Sequence, residues 1–157
     1  MRLTLSAAVT DDAPALLDLH LAASRQLTAQ YGVGPWSGGI TVKGVLFTMR
    51  RATIYAVRDA QAIVGTFALS QRKPWAIDTS YFSACKRPLY LTSMAVRPEH
   101  QRRGVGTFCI GEARRLAKEW PPTRSAWMPG TPRRVRASST VNAVSARWAE
   151  KRIEPRR

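Results

Sequence analysis

The run Gln101-Arg102-Arg103-Gly104-Val105-Gly106 places two glycines and two arginines within one short turn, directly before an amphipathic stretch. Glycine admits positive φ and lets an anion come close to the main chain. The first amides of a helix have no carbonyl partner, so they point outward with partial positive charge. A helix opening at Val105 therefore offers those amides to a pyrophosphate, and Arg102 and Arg103 add charge-assisted hydrogen bonds to the same oxygens. The consecutive N–H groups of such a turn also form an anion-binding concavity. The same letters fit a surface turn capping an ordinary helix, so the flanking elements have to decide.

Those elements arrive in the right order. Leu89–Val96 reads as a strand, and Arg97-Pro98 ends it because proline cannot continue the ladder. Val105, Phe108, Cys109, Ala113, Leu116, Ala117 and Trp120 then form one helical stripe. The turn is neither G-x-G-x-x-G nor a loop followed by Gly-Lys-Ser/Thr. Upstream, Leu3–Val9 reads as a first strand. Thr10-Asp11-Asp12 and Pro14 give helix-start chemistry before Leu16, Leu17, Leu21, Ala23 and Leu27. His20 reads as a boundary histidine of that helix, and His100 as a solvated one beside the turn. Tyr31–Gly39 is a loop. Ile40–Arg51 fits a second helix with Val42, Val45, Leu46 and Met49 inward. Thr53–Arg58 and Ala62–Ser70 read as an antiparallel hairpin around Asp59-Ala60-Gln61. The loop Trp75–Pro88 carries Trp75, Tyr81 and Phe82, aromatics that fit an acceptor pocket or a hydrophobic plug.

At 157 residues, 45% of them hydrophobic, the chain suffices for one domain with a real core. No apolar run reaches membrane-span length and Met1–Ser6 lacks a signal-peptide core, so the default expectation is a cytoplasmic protein without a membrane partner. Cys85 and Cys109 are far apart and form no Cys-x-x-Cys, which indicates neither a disulfide framework nor a metal site. Cys109 reads as packing, and Cys85 takes no role. The net charge of +15 raises a second function class, a basic protein binding nucleic acid or acidic surfaces. Residues 121–157 hold nine of the 25 basic residues and two of the 10 acidic ones, with Arg133, Arg134, Arg136, Arg147 and Arg152 prominent. Those arginines are not ordered as a recognition helix, and stacking aromatics are sparse among them.

The segment Leu89–Ala117 resembles the acyl-CoA-binding core of the GNAT N-acetyltransferases, whose turn follows Q/R-x-x-G-x-G/A after a strand ending in a V-x-P-like step. The resemblance covers residues 1–120. It implies an α/β (α+β) fold with a mixed, mostly antiparallel sheet flanked by helices. It also implies acetyl-CoA as cosubstrate and transfer of its acetyl group to an amine that the sequence does not identify. By that resemblance Met94, Ala95 and Val96 hold the pantetheine arm through their main chain as if it were another strand. Gln101, Arg102, Arg103, Gly104, Val105, Gly106 and Thr107 hold the pyrophosphate. A strand amide stabilises the oxyanion, and an acid protonates the leaving thiolate. The proton acceptor stays open among Tyr90, Tyr81 and water, the oligomeric state is unassigned, and no metal is called for.

The family's acid is usually a tyrosine in a segment resembling FYxKxGF on a later helix, and this sequence lacks one. From about Pro121 the chain departs from the family into an Arg/Pro/Ala/Ser-rich tail, 121–157, for which a short helix over 140–152 is the expected local structure. Two readings of the tail stand, a natural basic tail and, favoured, the family's missing portion in a shifted frame. The third base of each codon joined to the next two permits an AGxFYxxCGF segment there. Trp127-Met128-Pro129 must give Asp-Ala, and Trp148-Ala149 must give Gly, because Trp and Met have single codons. The displaced tyrosine spans the Ser139–Thr140 seam. Loss of the strands that segment encodes predicts an exposed edge on Leu89–Val96, lower stability and weakened CoA binding.

Overall fold

The computed structural model describes residues 1–74, 78, 80 and 88–120. The expected helix over 140–152, Cys85, and the aromatics Trp75, Tyr81 and Phe82 lie outside the described residues.

Alternation sets up the sheet. In β1 (Leu3–Ala7) the apolar Leu3, Leu5 and Ala7 point inward, while Thr4 and Ser6 face solvent. The strand stops at Ala7, short of the expected Val9, because the Val9 amide donates to Asp12 Oδ2 at 3.0 Å and turns the chain into a helix. β2 (Thr53–Asp59) and β3 (Ala62–Ser70) are almost wholly buried, and β4 is Tyr90–Val96. The order is β1-β2-β3-β4 with every neighbour antiparallel. Buried on both sides, β2 and β3 form the centre. β4 closes the order, so its outer edge meets no strand among the described residues.

Helices cover both faces. α1 (Ala13–Tyr31) and α2 (Val42–Met49) bury Ala13, Leu16, Leu19 and Val45 against Ile54, Ala56, Ile63 and Ala68. α2 is shorter than the expected Ile40–Arg51. Thr41 caps it, its Oγ1 accepting from the Gly44 amide at 3.1 Å. Val42, expected inward, stays 38% exposed in the first turn, because only the Val45–Met49 half of this short helix reaches the core. On the other face α3 (Val105–Glu119) lays Val105, Cys109 and Ala113 over Val57, Val64, Phe67 and Leu69. Gly65 permits that approach, since a Cβ there would lie 2.8 Å from Val105 Cγ1. Burial pushes the Cys109 thiol up to about 11, so it stays a neutral packing group. Among the described residues no three His, Cys, Asp or Glu gather as metal ligands. No described helix is long and apolar enough to cross a membrane.

Candidate active site

The edge strand is irregular where it matters. Thr66 pairs with Ala95 and Ala68 with Thr92, so Ser93 and Met94 together stand opposite Phe67. Two residues against one make a β-bulge, which bends the strand and leaves part of its ladder unpaired. Ser93 takes φ +50°, a left-handed conformation that a serine adopts only under constraint from its surroundings. Met94, next to it, is 38% exposed.

Beyond Val96 the chain is pinned before it turns. The Arg97 amide donates to the Val64 carbonyl at 2.9 Å, its Nε to the Ile63 carbonyl at 3.2 Å, and its Nη1 meets Asp18 on α1 at 2.8 Å. Gln101 Nε2 donates to Gln26 Oε1 at 2.7 Å and to the Val96 carbonyl at 3.3 Å. The turn is thus held to β3 and to α1 by side chains distant in sequence. Arg102 then adopts φ +59° and Gly104 φ +85°, and the first α3 bond runs from the Phe108 amide to the Gly104 carbonyl at 2.9 Å. No described main-chain carbonyl accepts the N–H groups of Arg102, Arg103, Gly104, Val105, Gly106 or Thr107. Six successive free amides, threaded through two left-handed residues, form a concave donor array at a helix start. The surface there is open: Arg102, Arg103, Gly104 and Thr107 are exposed, and a Cβ on Gly106 would stand 3.7 Å from Met94 Cε.

Bulge and turn share a groove of about 540 Å³. Met94, Ala95, Val96, Gln101, Arg102 and Gly106 line one side. His20, Ala23, Ser24 and Leu27 of α1, with Trp36, Gly38 and Ile40 of the connection to α2, line the other. No carboxylate is among them. Burial pushes the His20 imidazole below the ordinary histidine value, which favours its neutral form.

Every expected site residue from Met94 to Thr107 therefore falls on one continuous stretch from the bulge to the first turn of α3. Val105 gives its side chain to the core beneath α3 and leaves its amide at the turn. Gln101 has its amide nitrogen engaged in holding the turn rather than standing free. His20, read in sequence as a boundary residue, lines the groove. His100, expected to be solvated, is half-buried, with Nδ1 shielded and without a partner among the described residues. Tyr90 is 6% exposed and does not line the groove, while Tyr81 lies outside the described residues.

Residues 24–132 match the model of the acetyltransferase (GNAT) family. The chain belongs to that family. The GNAT match runs past Trp120 into the first residues of the arginine-rich stretch. Its architecture agrees with solved structures. An acetyltransferase from Thermus thermophilus aligns at a TM-score of 0.51 and 20% identity, covering 73% of this chain and 69% of its own. PaiA N-acetyltransferase from Thermoplasma acidophilum, solved in complex with coenzyme A, aligns at 0.58 and 11% identity, covering 76% and 74%. A GNAT acetyltransferase from Brucella melitensis, in complex with acetyl-CoA, aligns at 0.51 and 16%, covering 73% and 68%. At such identities the likeness establishes the GNAT fold. No curated protein matches the chain.

Proposed function

We propose that this chain is an acetyl-CoA-dependent N-acetyltransferase whose α3 entry turn takes the diphosphate of the cosubstrate and whose bulged β4 edge takes the pantetheine arm. One observation carries the reading: the six free amides from Arg102 to Thr107, in a turn whose Arg102 and Gly106 line the same groove as Met94. A row of oriented N–H groups at a helix start suits an anionic group such as a doubly charged diphosphate. The exposed Arg102 and Arg103 side chains add mobile charge to it, Gln101 keeps the turn in place, and Gly104 supplies its positive φ. Met94, Ala95 and Val96 offer main-chain groups on an edge to which the amide-bearing arm adds like a strand.

Acetyl transfer then needs no covalent enzyme intermediate. The lone pair of a neutral amine forms the C–N bond at the thioester carbon, and the carbonyl electrons move onto oxygen. A main-chain N–H left unpaired by the bulge stabilises that oxyanion. Collapse breaks the C–S bond, the amine nitrogen loses its surplus proton, and the thiolate takes one up. The second reading, a nucleic-acid or acidic-surface binder, rests on arginines outside the described residues, and the family match favours the transferase.

Thermal unfolding with acetyl-CoA tests the proposal. At a hundred times Kd the natural chain gains about 2.7 kcal/mol, which raises Tm by several degrees. Gly104→Val keeps the fold at a backbone cost of about 1–2 kcal/mol and loses the shift. No shift in the natural chain rejects the transferase reading, and a full shift in the variant rejects the place given to the diphosphate.

A further inference from the structure

The far wall of the groove has a distinctive chemistry. Leu27, Ile40 and Trp36 make that wall apolar. Its side-chain hydrogen-bonding groups are already engaged, with one exception. Ser24 Oγ donates to the Trp36 carbonyl at 2.6 Å, and Trp36 Nε1 donates to the Gly32 carbonyl at 3.2 Å. The indole is further fixed by an edge contact with Tyr31, ring centroids 6.4 Å apart. What remains is the His20 imidazole, half-buried and bonded to no described residue. The charged side chain that shares the groove with it is Arg102, at the turn end. On its own helix Asp18 is paired with Arg97, and β4 brings no titratable side chain to the groove.

Such a wall selects. An ammonium group resting on it finds no carboxylate among the described residues, so a second or third cationic amine would be desolvated without compensation. A flat apolar group, by contrast, matches the Trp36 ring and the two aliphatic side chains. We infer that this half of the groove takes a singly charged primary amine carried on an apolar, ring-sized group, and that His20 receives the amine's proton; the inference rests on the acetyl-transfer reading above. The step balances. The neutral imidazole takes one proton from the ammonium, and the freed lone pair attacks the thioester carbon. The second proton lost from nitrogen passes to the departing thiolate, and His20 returns its own to solvent. Burial favours the neutral form of the imidazole, the form that can take up a proton.

Bisubstrate conjugates test this without demanding turnover. CoA carrying 2-phenylethylamine through a thioether-linked acetyl group is compared by calorimetry with the spermidine conjugate and with CoA itself, all on the full chain. The phenylethylamine conjugate is expected to bind about tenfold or more tightly than CoA, the gain from covering one ring, and the spermidine conjugate no more tightly than CoA. Trp36→Ala, a change at a partly exposed residue of the short 3-10 turn Pro35–Ser37, removes that gain. His20→Phe removes about tenfold through loss of the acceptor for the conjugate's amide N–H, and His20→Asn restores it. A spermidine conjugate that binds at least as well as the phenylethylamine one, or no gain for either, overturns the substrate class. An unaltered gain in His20→Phe overturns the role of His20. Failure of CoA and both conjugates to bind removes the transferase reading, and this inference with it.

Discussion

β3 and β4 are neighbours in one antiparallel ladder and serve opposite ends. β3 runs Ala62–Ser70 with every interior residue buried, and Val64, Thr66, Phe67 and Ala68 show no measurable exposure. Its one fully buried polar side chain is satisfied, Thr66 Oγ1 donating to the Tyr55 carbonyl at 2.9 Å. β4 keeps Ser93 and Met94 exposed, gives Ser93 a left-handed φ, and leaves its outer edge without a described strand. A strand enclosed on all sides has its main chain saturated and can only hold the fold together. A bulged edge strand gives up part of its pairing and thereby keeps hydrogen-bonding groups for a ligand. Here the regular strand anchors the irregular one, through Tyr90–Ser70 pairing at one end and Val96–Gly65 at the other.

Two substitutions facing each other across that pair break the comparison most sharply. Phe67→Ala removes a side chain with no exposure that stacks on Tyr55 at 5.2 Å between ring centroids. Denaturant unfolding should show a loss of about 3–5 kcal/mol. Met94→Ala, in the facing bulge, should change stability by less than about 1 kcal/mol while loosening the grip on acetyl-CoA. Equal stability losses at the two positions would contradict the division of labour.

The shifted-frame reading of residues 121–157 gives the next test. Restoring one base near the Pro121 codon should yield a chain with a partner for the outer edge of β4. That chain should unfold about 10 °C higher, a gain of about 3 kcal/mol. An unchanged Tm, or a coding sequence in which no one-base change restores a family-like frame, would dismiss the idea.

The smallest effect concerns the entry to α1. Asp12 meets Arg58 at 2.6 Å and accepts from the Val9 amide. Burial pushes the Asp12 carboxyl upward, but the Arg58 guanidinium and the Val9 amide outweigh that and hold it below the ordinary carboxylate value. A folded pKa below the unfolded one means that the unfolded chain binds more protons in the interval between them. The stabilisation is present in full above about pH 4 and is lost as pH falls through the folded value. Asp12→Asn should therefore lose about 1–2 kcal/mol at neutral pH and show a flatter acid limb in a stability-against-pH series.

The turn was legible because its chemistry is local. Pro98 stops a strand, Gly104 and Gly106 mark the bend, and the stripe from Val105 to Leu116 announces the helix that aims the amides. The β2–β3 hairpin was legible for the same reason, with Asp59–Gln61 between two β-rich runs. The bulge was not, since nothing in the letters Ser93-Met94 signals a left-handed φ. It arises from the register that Thr66 and Ala68 impose on a strand distant in sequence. His20 read only as a boundary histidine because α1 meets β4 only in the folded chain, and Gln101 looked like a ligand group because its partner Gln26 lies 75 residues upstream. Helix length at α2 was misjudged because an apolar pattern does not say where the core surface ends.

Amide hydrogen exchange with and without acetyl-CoA reaches the central claim most directly. The free N–H groups of Arg102–Thr107 should exchange fast in the unliganded chain and become strongly protected on binding, more than any other segment except the Met94–Val96 edge. Protection that appears elsewhere while Arg102–Thr107 stays as fast as before would contradict the account.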